Sequence, residues 1–312
     1  MRFKIVTTAA LAVAAFLLMS CGTSRDAMPL MGENTPEMNE KGEALFRQAR
    51  DLEEAGRTSR AIRTYDRVAT RHPFAPSAGQ ARFRQAELLQ ENGDIVKSFE
   101  AYQQFIDRYR GDGLYETVLA RQAEMAQAAA DGEVRSGFLG LRTRLSLDRT
   151  VEMLTQVAEN APQSRTAAKA KFNIGQLYES RNRPDDSVDA YRRLVRDQPD
   201  APEAPDALFQ VGEILLAQAD SGNRNQATLD LAREAFNDYL LQYPRHGKNR
   251  EARERLAEIQ TRNLQRTFDT ASFYQRTGRT EAAKIYFRDV AEEAPEGPLR
   301  DAARERLREL GE

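Results

Sequence analysis

The chain has 312 residues, 30% of which are charged, and its formal net charge is −2. Because neither sign of charge is in excess, the basic surface that nucleic-acid binding requires is not expected. The single cysteine excludes a disulfide bond within the chain, so stability depends on packing.

Residues 1–20 have the pattern of an export signal. Arg2 and Lys4 supply positive charge, and residues 5–19 form an apolar run that is short for a membrane span. The run leads into Leu-Met-Ser-Cys-Gly, which resembles a bacterial lipoprotein box with Cys21 as its cysteine. We expect cleavage before Cys21 and acylation of this residue, because two or three acyl chains anchor a protein durably. Gly22 is not the aspartate associated with inner-membrane retention, which favours the outer membrane.

An ordinary secretory signal followed by a coincidental cysteine is the alternative for this end of the chain. Residues 21–41 predict an acylated N-terminus and a flexible tether, because Pro29, Gly32 and Pro36 lie among polar residues. Twenty such residues reach roughly 60–70 Å when fully extended. Residues 42–312 are assigned to the folded domain.

One spacing recurs six times in the folded domain. A small residue is followed four positions later by a bulky one and, in five of the six sets, a proline comes eight positions after that. The sets are Ala61–Tyr65–Pro73, Ser98–Tyr102–Arg110, Thr150–Leu154–Pro162, Ser187–Tyr191–Pro199, Ala232–Phe236–Pro244 and Ala283–Phe287–Pro295. This spacing resembles the tetratricopeptide repeat, a helix pair of about 34 residues.

The repeats predict an all-α fold, a right-handed superhelical solenoid of about six helix pairs. A capping helix is predicted around Leu299–Leu310, where apolar residues recur at helical spacing among arginines and glutamates. The same stripe could instead bind a partner. A stack of this kind presents extended binding surfaces, so the predicted function is protein binding.

Two units are longer than the others. Residues 131–147 interrupt the third unit with the apolar, glycine-flanked stretch Gly137–Leu141. This insert either folds back onto its own repeat or contacts a partner through Phe138 and Leu139. In the fifth unit, Asp220–Asn223 has the composition of a loop.

Nothing in the sequence favours catalysis. His72 and His246 lie beside prolines that close repeats, far apart along the chain and without metal-ligand spacing. No glycine-rich phosphate loop precedes a helix, and no alternating run indicates strands. Carboxylate pairs such as Asp185-Asp186 are typical of a solvated helix face in so charged a chain. We predict no enzymatic activity, no cofactor and no metal site.

Residues Pro73-Phe74-Ala75-Pro76 place an aromatic ring between two prolines after the first repeat. Together with the insert at residues 137–140 and the stretch 268–293, this turn resembles the BamD/YfiO family of lipoproteins. The resemblance covers most of residues 40–160 and 240–312. That family typically has five repeats, whereas six are present here, with the excess roughly between residues 167 and 243.

The resemblance implies a periplasm-facing scaffold of the outer-membrane β-barrel assembly machinery. Its C-terminal repeats would bind the periplasmic domains of the barrel insertase, alongside accessory lipoproteins. Its N-terminal repeats would offer a groove to extended segments of unfolded outer-membrane proteins. The first helix of each unit lines such a groove, and the register predicts that five residues project into it, although the phenylalanines also fit the core. The five are Phe46, Arg50, Phe83, Arg84 and Glu87.

Other classes of envelope protein remain open. A coordinator of cell-wall synthesis resembling CpoB would usually carry an N-terminal coiled coil, and no heptad run precedes the repeats. A pilotin-like lipoprotein, which helps a secretion channel assemble, would have nearly the same repeat chemistry. A glycan-binding lipoprotein would need an aromatic platform, and the chain has no tryptophan. Co-purifying proteins would separate these possibilities.

Overall fold

A computed structural model describes residues 36–138, 141–221 and 226–312. This part of the chain contains thirteen α-helices and one short β-hairpin. In chain order the elements are α1 (Pro36–Glu54), α2 (Thr58–Arg71), α3 (Ala78–Glu91), α4 (Ile95–Arg108), α5 (Tyr115–Ala130), β1 (Arg135–Phe138), β2 (Leu141–Arg144), α6 (Leu147–Asn160), α7 (Arg165–Ser180), α8 (Pro184–Asp197), α9 (Ala204–Ser221), α10 (Gln226–Gln242), α11 (Asn249–Arg276), α12 (Thr280–Glu293) and α13 (Pro298–Glu309).

Helices α1–α12 are six consecutive pairs, and α13 follows the last of them, which confirms the predicted repeat fold and its capping helix. The turns within the pairs use residues that tolerate a left-handed backbone. Gly56, Gly93, Asn182 and Gly278 all have a positive φ where the first helix ends, as does Gly132 after α5.

The chain divides into two compact units, one ending at Gln85 and one comprising Ala86–Glu312. In the first unit, α1 packs against α2. Gly42 of α1 lies against the turn that follows α2, because a Cβ atom added there would lie 2.7 Å from the Cβ of Ala75. The carboxylate of Glu43 then accepts a hydrogen bond from the backbone N–H of Ser77 at 2.9 Å, just before α3 begins.

In the second unit, the predicted small residues bring paired helices close together. A Cβ atom added to Gly175 would lie 2.4 Å from the Tyr191 ring, so only glycine fits beneath that ring. The hydroxyl of Ser187 donates a hydrogen bond of 2.9 Å to the carbonyl of Gly175. Ser98 makes the same bond to the carbonyl of Ala86 at 2.7 Å. The recurring spacing therefore records helix-to-helix contact.

Helix α11 connects two hydrophobic cores of the second unit. It has 28 residues, which corresponds to about 42 Å. Ala252 and Ile259 in its first half are buried in a core with α7–α10. Leu264 and Ala271 in its second half are buried in another core, with α12 and α13. The single helix therefore serves as a wall of both cores.

Three details differ from the sequence predictions. The insert contains the antiparallel hairpin β1–β2, with Ser136 paired to Thr143, although no strand was predicted. Each strand has four residues, too few for a period of two to be recognised. The expected loop at residue 220 is instead the last turn of α9, which extends to Ser221. At the N-terminus, α1 begins at Pro36, within the segment assigned to the tether.

Candidate functional site

Two cavities flank α5 in the second unit. One, of about 470 Å³, is bounded by α5, α6 and α7, and the other, of about 420 Å³, lies between α5 and the turn joining α3 to α4. Both are lined by Glu124, Ala128 and Glu133. We refer to the two cavities together as the α5 groove. The volume of each cavity lies within the range of ordinary ligand-binding pockets.

Helical periodicity directs one face of α5 into the groove. Glu124, Gln127, Ala128 and Asp131 line it at intervals of three and four residues. The opposite face is anchored in the core, where Val118, Ala126 and Ala129 are buried. On the far side of the groove, α7 contributes Arg165, Lys169 and Asn173 at intervals of one turn, with Thr166 and Ala170 beside them.

The floor of the groove is held by amide hydrogen bonds. The side chain of Asn173 donates to the carbonyl oxygen of Gln127 at 2.5 Å, and Gln127 donates to Asp131 at 3.0 Å. Leu154 and Val157 on α6, both buried, supply the apolar part of the floor. The α5 and α7 walls are therefore tied together before any partner arrives, which lowers the ordering cost of binding.

A second amide cluster fixes the back of α5. Gln122, which is 1% exposed, donates a hydrogen bond of 2.7 Å to Gln103 on α4. Asn160 at the end of α6 donates to the same Gln103 oxygen at 2.8 Å and to Gln122 at 2.6 Å. Buried amides are retained at low cost when they satisfy one another. Local sequence pattern does not reveal this cluster, because its members lie 19 to 57 residues apart.

The rim of the groove carries charges that no other described residue neutralises. Glu124 and Glu133 lie on the α5 side, and Arg165 and Lys169 lie on the α7 side, all exposed. None of these four side chains has an ion pair within the described ranges. Charges left open on a preformed groove attract a partner that carries the complementary charges. The arrangement suits a peptide with groups of both signs.

In contrast to the charges at the groove rim, three acidic residues of α9 form ion pairs. These acidic residues recur every seven positions, and each contacts a basic residue 42 positions later. The first of these basic residues immediately precedes α11, and the other two lie within it. The pairs are Asp206–Lys248 at 2.9 Å, Glu213–Arg255 at 2.8 Å, and Asp220–Arg262. We refer to these pairs as the α9–α11 ladder. The ladder joins α9 to α11, whereas the rim charges on α5 and α7 form no ion pairs across the α5 groove.

Two features are absent from the described part of the chain. None of its helices combines the length and the apolar character needed to cross a membrane. Within the same residues, no group of three or more His, Cys, Asp or Glu side chains is placed to hold a metal ion.

Comparison with known protein families agrees with the helix pairs. A tetratricopeptide repeat model matches residues 46–113, 151–202 and 172–245, which is more than half of the chain, and a second such model matches residues 270–296. The chain belongs to the tetratricopeptide repeat family. This repeat protein is accordingly a scaffold for protein–protein interaction.

No curated protein matches the chain at a significant level. Solved structures that resemble it include a tetratricopeptide repeat protein from Parabacteroides merdae, with 10% identity, a TM-score of 0.28, and coverage of 88% of this chain and 100% of that one. The PilF protein of Pseudomonas aeruginosa has 10% identity, a TM-score of 0.30, and coverage of 86% and 99%. The C-terminal part of a repeat protein from Cytophaga hutchinsonii has 12% identity, a TM-score of 0.34, and coverage of 86% and 92%. At these values the similarity extends to no partner or activity.

The five predicted groove residues occupy different environments. Phe46 does not project into a groove as predicted. It is only 9% exposed, and its ring lies 5.7 Å from that of Tyr65 in the core of the first unit. Arg50 is exposed and pairs with Glu54 at 3.5 Å. Phe83 and Glu87 are half-buried on α3, on either side of the boundary between the two units. Helical spacing alone did not separate the core face of α1 from its solvent face.

Arg84, the remaining predicted residue, has a partner within the first unit. Its guanidinium contacts the carboxylate of Glu53 at 2.6 Å, and the Tyr65 hydroxyl donates to the same carboxylate at 2.7 Å. Partial burial acts to raise the pKa of Glu53, but the hydrogen bonds from Arg84 and Tyr65 outweigh it and hold that pKa below its usual value. Burial and the neighbouring carboxylate raise the pKa of Tyr65. Arg84 therefore links α3 to α1.

For three other predicted positions the structure describes no side chain. Cys21 precedes the first described residue, and Leu139 falls in the gap between the strands. Phe138 ends β1, but only its backbone is described. Their predicted roles in lipid attachment and partner contact stay predictions.

Proposed function

We propose that this repeat protein is a lipid-anchored scaffold on the periplasmic side of the bacterial outer membrane, acting in β-barrel assembly. The observation that carries the proposal is the turn Pro73-Phe74-Ala75-Pro76, whose Phe74 ring is 45% exposed. An exposed ring held between two prolines costs little entropy to bind. The lipoprotein box at Cys21 supports the location and implies acyl chains such as palmitate on that residue.

In this proposal the α5 groove receives extended segments of unfolded outer-membrane proteins. Strands of such proteins alternate apolar and polar residues. The apolar floor at Leu154 and Val157 would accept the former, and the open charges on α5 and α7 would accept charged groups among the latter. Binding would need little rearrangement, because the amide hydrogen bonds already hold the groove walls together.

The C-terminal repeats would bind the periplasmic domains of the barrel insertase. Phe273 on α11 and Ile285 on α12 are 52% and 55% exposed. Beside them, the rings of Tyr274 and Tyr286 stack with centroids 5.5 Å apart. Exposed aromatic and aliphatic groups on packed helices are typical of protein interfaces.

The test is isolation of the protein from its native envelope in mild detergent, followed by mass spectrometry. Recovery of a barrel insertase with repeated periplasmic domains, in near-equal amount, is the expected result. Recovery of a secretin or of a cell-wall synthase instead would refute the role in barrel assembly.

The anchor is tested separately by a Cys21→Ser variant and metabolic labelling with palmitate. We expect label on the wild-type chain, no label on the variant, and release of the variant into the soluble periplasmic fraction. A labelled variant, or an unlabelled wild-type chain, would refute acylation at Cys21.

A further inference from the structure

A second groove lies on another face of α7. A cavity of about 430 Å³ is bounded by α6, α7 and α8. On α7 it is lined by Lys171, Ile174 and Tyr178, whereas Lys169 and Asn173 of the same helix line the α5 groove. We refer to this cavity as the α6–α8 groove. The two grooves share α7 but open on different sides of it.

The α6–α8 groove runs along its helices. Its lining residues recur at helical spacing on each of them: Val151, Thr155 and Ala158 on α6, and residues from Asp186 to Asp197 on α8. Eleven residues of rise along α8 correspond to about 16 Å, or three helical turns. A channel of this length between two helices accepts a further helix, whose side chains fit between theirs.

The floor of this groove is apolar. Val151, Ile174 and Ala190 line the cavity and are half-buried. Tyr178 closes one end, with the Arg183 guanidinium 4.8 Å above its ring. Apolar side chains of a bound helix would therefore lose contact with water here, which is the main source of binding energy in such grooves.

The rim of the groove is acidic. Lys171 contacts Asp197 at 2.9 Å, and its hydrogen bond lowers the pKa of that carboxyl. Asp186 likewise contacts Arg183 at 2.8 Å. Glu159 and Asp189 are exposed and form no ion pair with any described residue. Among the lining cations, only Arg193 also lacks an ion pair with a described residue. Four carboxylates and two cations line the cavity, so carboxylates outnumber cations around the opening.

We propose that the α6–α8 groove binds an amphipathic helix of a partner protein, with Lys or Arg beside its apolar face. The apolar face would cover Val151, Ile174 and Ala190, and the basic residues would pair with Glu159 and Asp189. This inference does not rest on the proposed role in barrel assembly. It adds a second binding site, so one scaffold could hold a peptide in the α5 groove and a helix in this groove at once.

The test uses the full-length chain and a fluorescein-labelled peptide of repeated Lys, Leu and Ala, about 14 residues long, the length of an ordinary helix. Fluorescence anisotropy gives the Kd for the wild type and for the charge reversal Glu159→Lys with Asp189→Lys. We expect the reversal to weaken binding at least about tenfold. The matched control is Glu234→Lys with Asp238→Lys, which should leave the Kd unchanged. Glu234 follows Ala232 on α10 by two positions, as Asp189 follows Ser187 on α8.

A second variant addresses the apolar floor. Ala190→Gln places a longer polar side chain in the groove from a half-buried position on α8, and should weaken binding by a similar factor while the melting temperature stays within a few degrees. Equal Kd values for the wild type and the charge reversal would overturn the proposal. So would equal affinity for a peptide with Glu in place of Lys, or self-association through this face that the charge reversal abolishes, since the occupant would then be a second copy of the chain.

Discussion

The α5 groove and the α9–α11 ladder differ in how they use a charged residue at the same position of the repeat. Lys169 precedes Gly175 by six positions, and Asp206 precedes Gly212 by six positions. Lys169 is exposed at the groove rim without an ion pair, whereas Asp206 contacts Lys248 at 2.9 Å. The same repeat position is thus unpaired at the groove rim in one repeat and forms a contact between helices in the next.

The two regions rest on similar cores. Gly175 lies beneath Tyr191 and Gly212 beneath Phe236, so each helix pair closes through the same glycine-to-ring contact. The difference lies in the polar surface above that contact. Family membership therefore predicts the packing of each repeat but not whether its surface is open to a partner.

The largest effect is expected in the core beneath the ladder. Phe236→Ala removes a ring with no solvent exposure, and should lower the free energy of unfolding by about 3–5 kcal/mol. Thermal and urea denaturation measure the loss. Phe273→Ala, at an exposed site on α11, is the control and should change stability little. Similar losses in both variants would mean that the ring contact does not hold the repeat.

The next effect separates binding from stability in the α5 groove. Arg165→Glu with Lys169→Glu reverses two open charges of α7, and should weaken binding of a strand-like peptide about tenfold or more, with unfolding unchanged. Isothermal calorimetry and thermal denaturation test the two statements. The matched control, Arg304→Glu with Arg308→Glu, reverses two exposed arginines at the same spacing on α13. Unchanged affinity in the α7 variant would remove the basic wall from the binding surface.

A smaller effect is expected in the ladder. Arg255→Gln removes the partly exposed ion pairs with Glu213 and Glu258, so the free energy of unfolding should fall by about 0.2–1 kcal/mol. A double-mutant cycle with Glu213→Gln isolates the coupling, which should shrink in about 1 M salt, where the screening length is about 3 Å. Peptide binding in the α5 groove should not change. A loss of peptide affinity in Arg255→Gln would mean that the ladder and the groove are not separate.

The smallest effect concerns Glu53 in the first unit, whose ion pair with Arg84 also links two helices. The folded pKa of Glu53 lies below its ordinary value of 4.5, so the carboxylate adds stability above that pH and the gain is lost as pH falls through the folded pKa. Glu53→Gln should therefore flatten the decline of stability below pH 4.5. Glu54→Gln, at the exposed neighbour of Glu53, should keep the wild-type decline. Identical pH profiles for Glu53→Gln and the wild type would contradict the assignment.

Several features could be predicted from local pattern. The spacing of small and bulky residues predicted the helix pairs, because a helix repeats its faces every three to four residues and a tight pair needs a small residue at each crossing. The turns at Gly56, Gly93 and Gly278 were predictable because few other residues accept their backbone conformation. The hairpin at Ser136 and Thr143 was not, because its strands are too short to show a period.

The repeat fold, the number of helix pairs and the capping helix follow from side-chain spacing within a repeat or a single helix. Tertiary packing sets the surroundings of each candidate site residue. It buried Phe46, paired Arg84 with Glu53, and brought Asp206 to Lys248 across 42 positions while leaving Lys169 open. These contacts depend on which neighbouring helix reaches a given side chain. The spacing of residues within one repeat does not encode which helix that is.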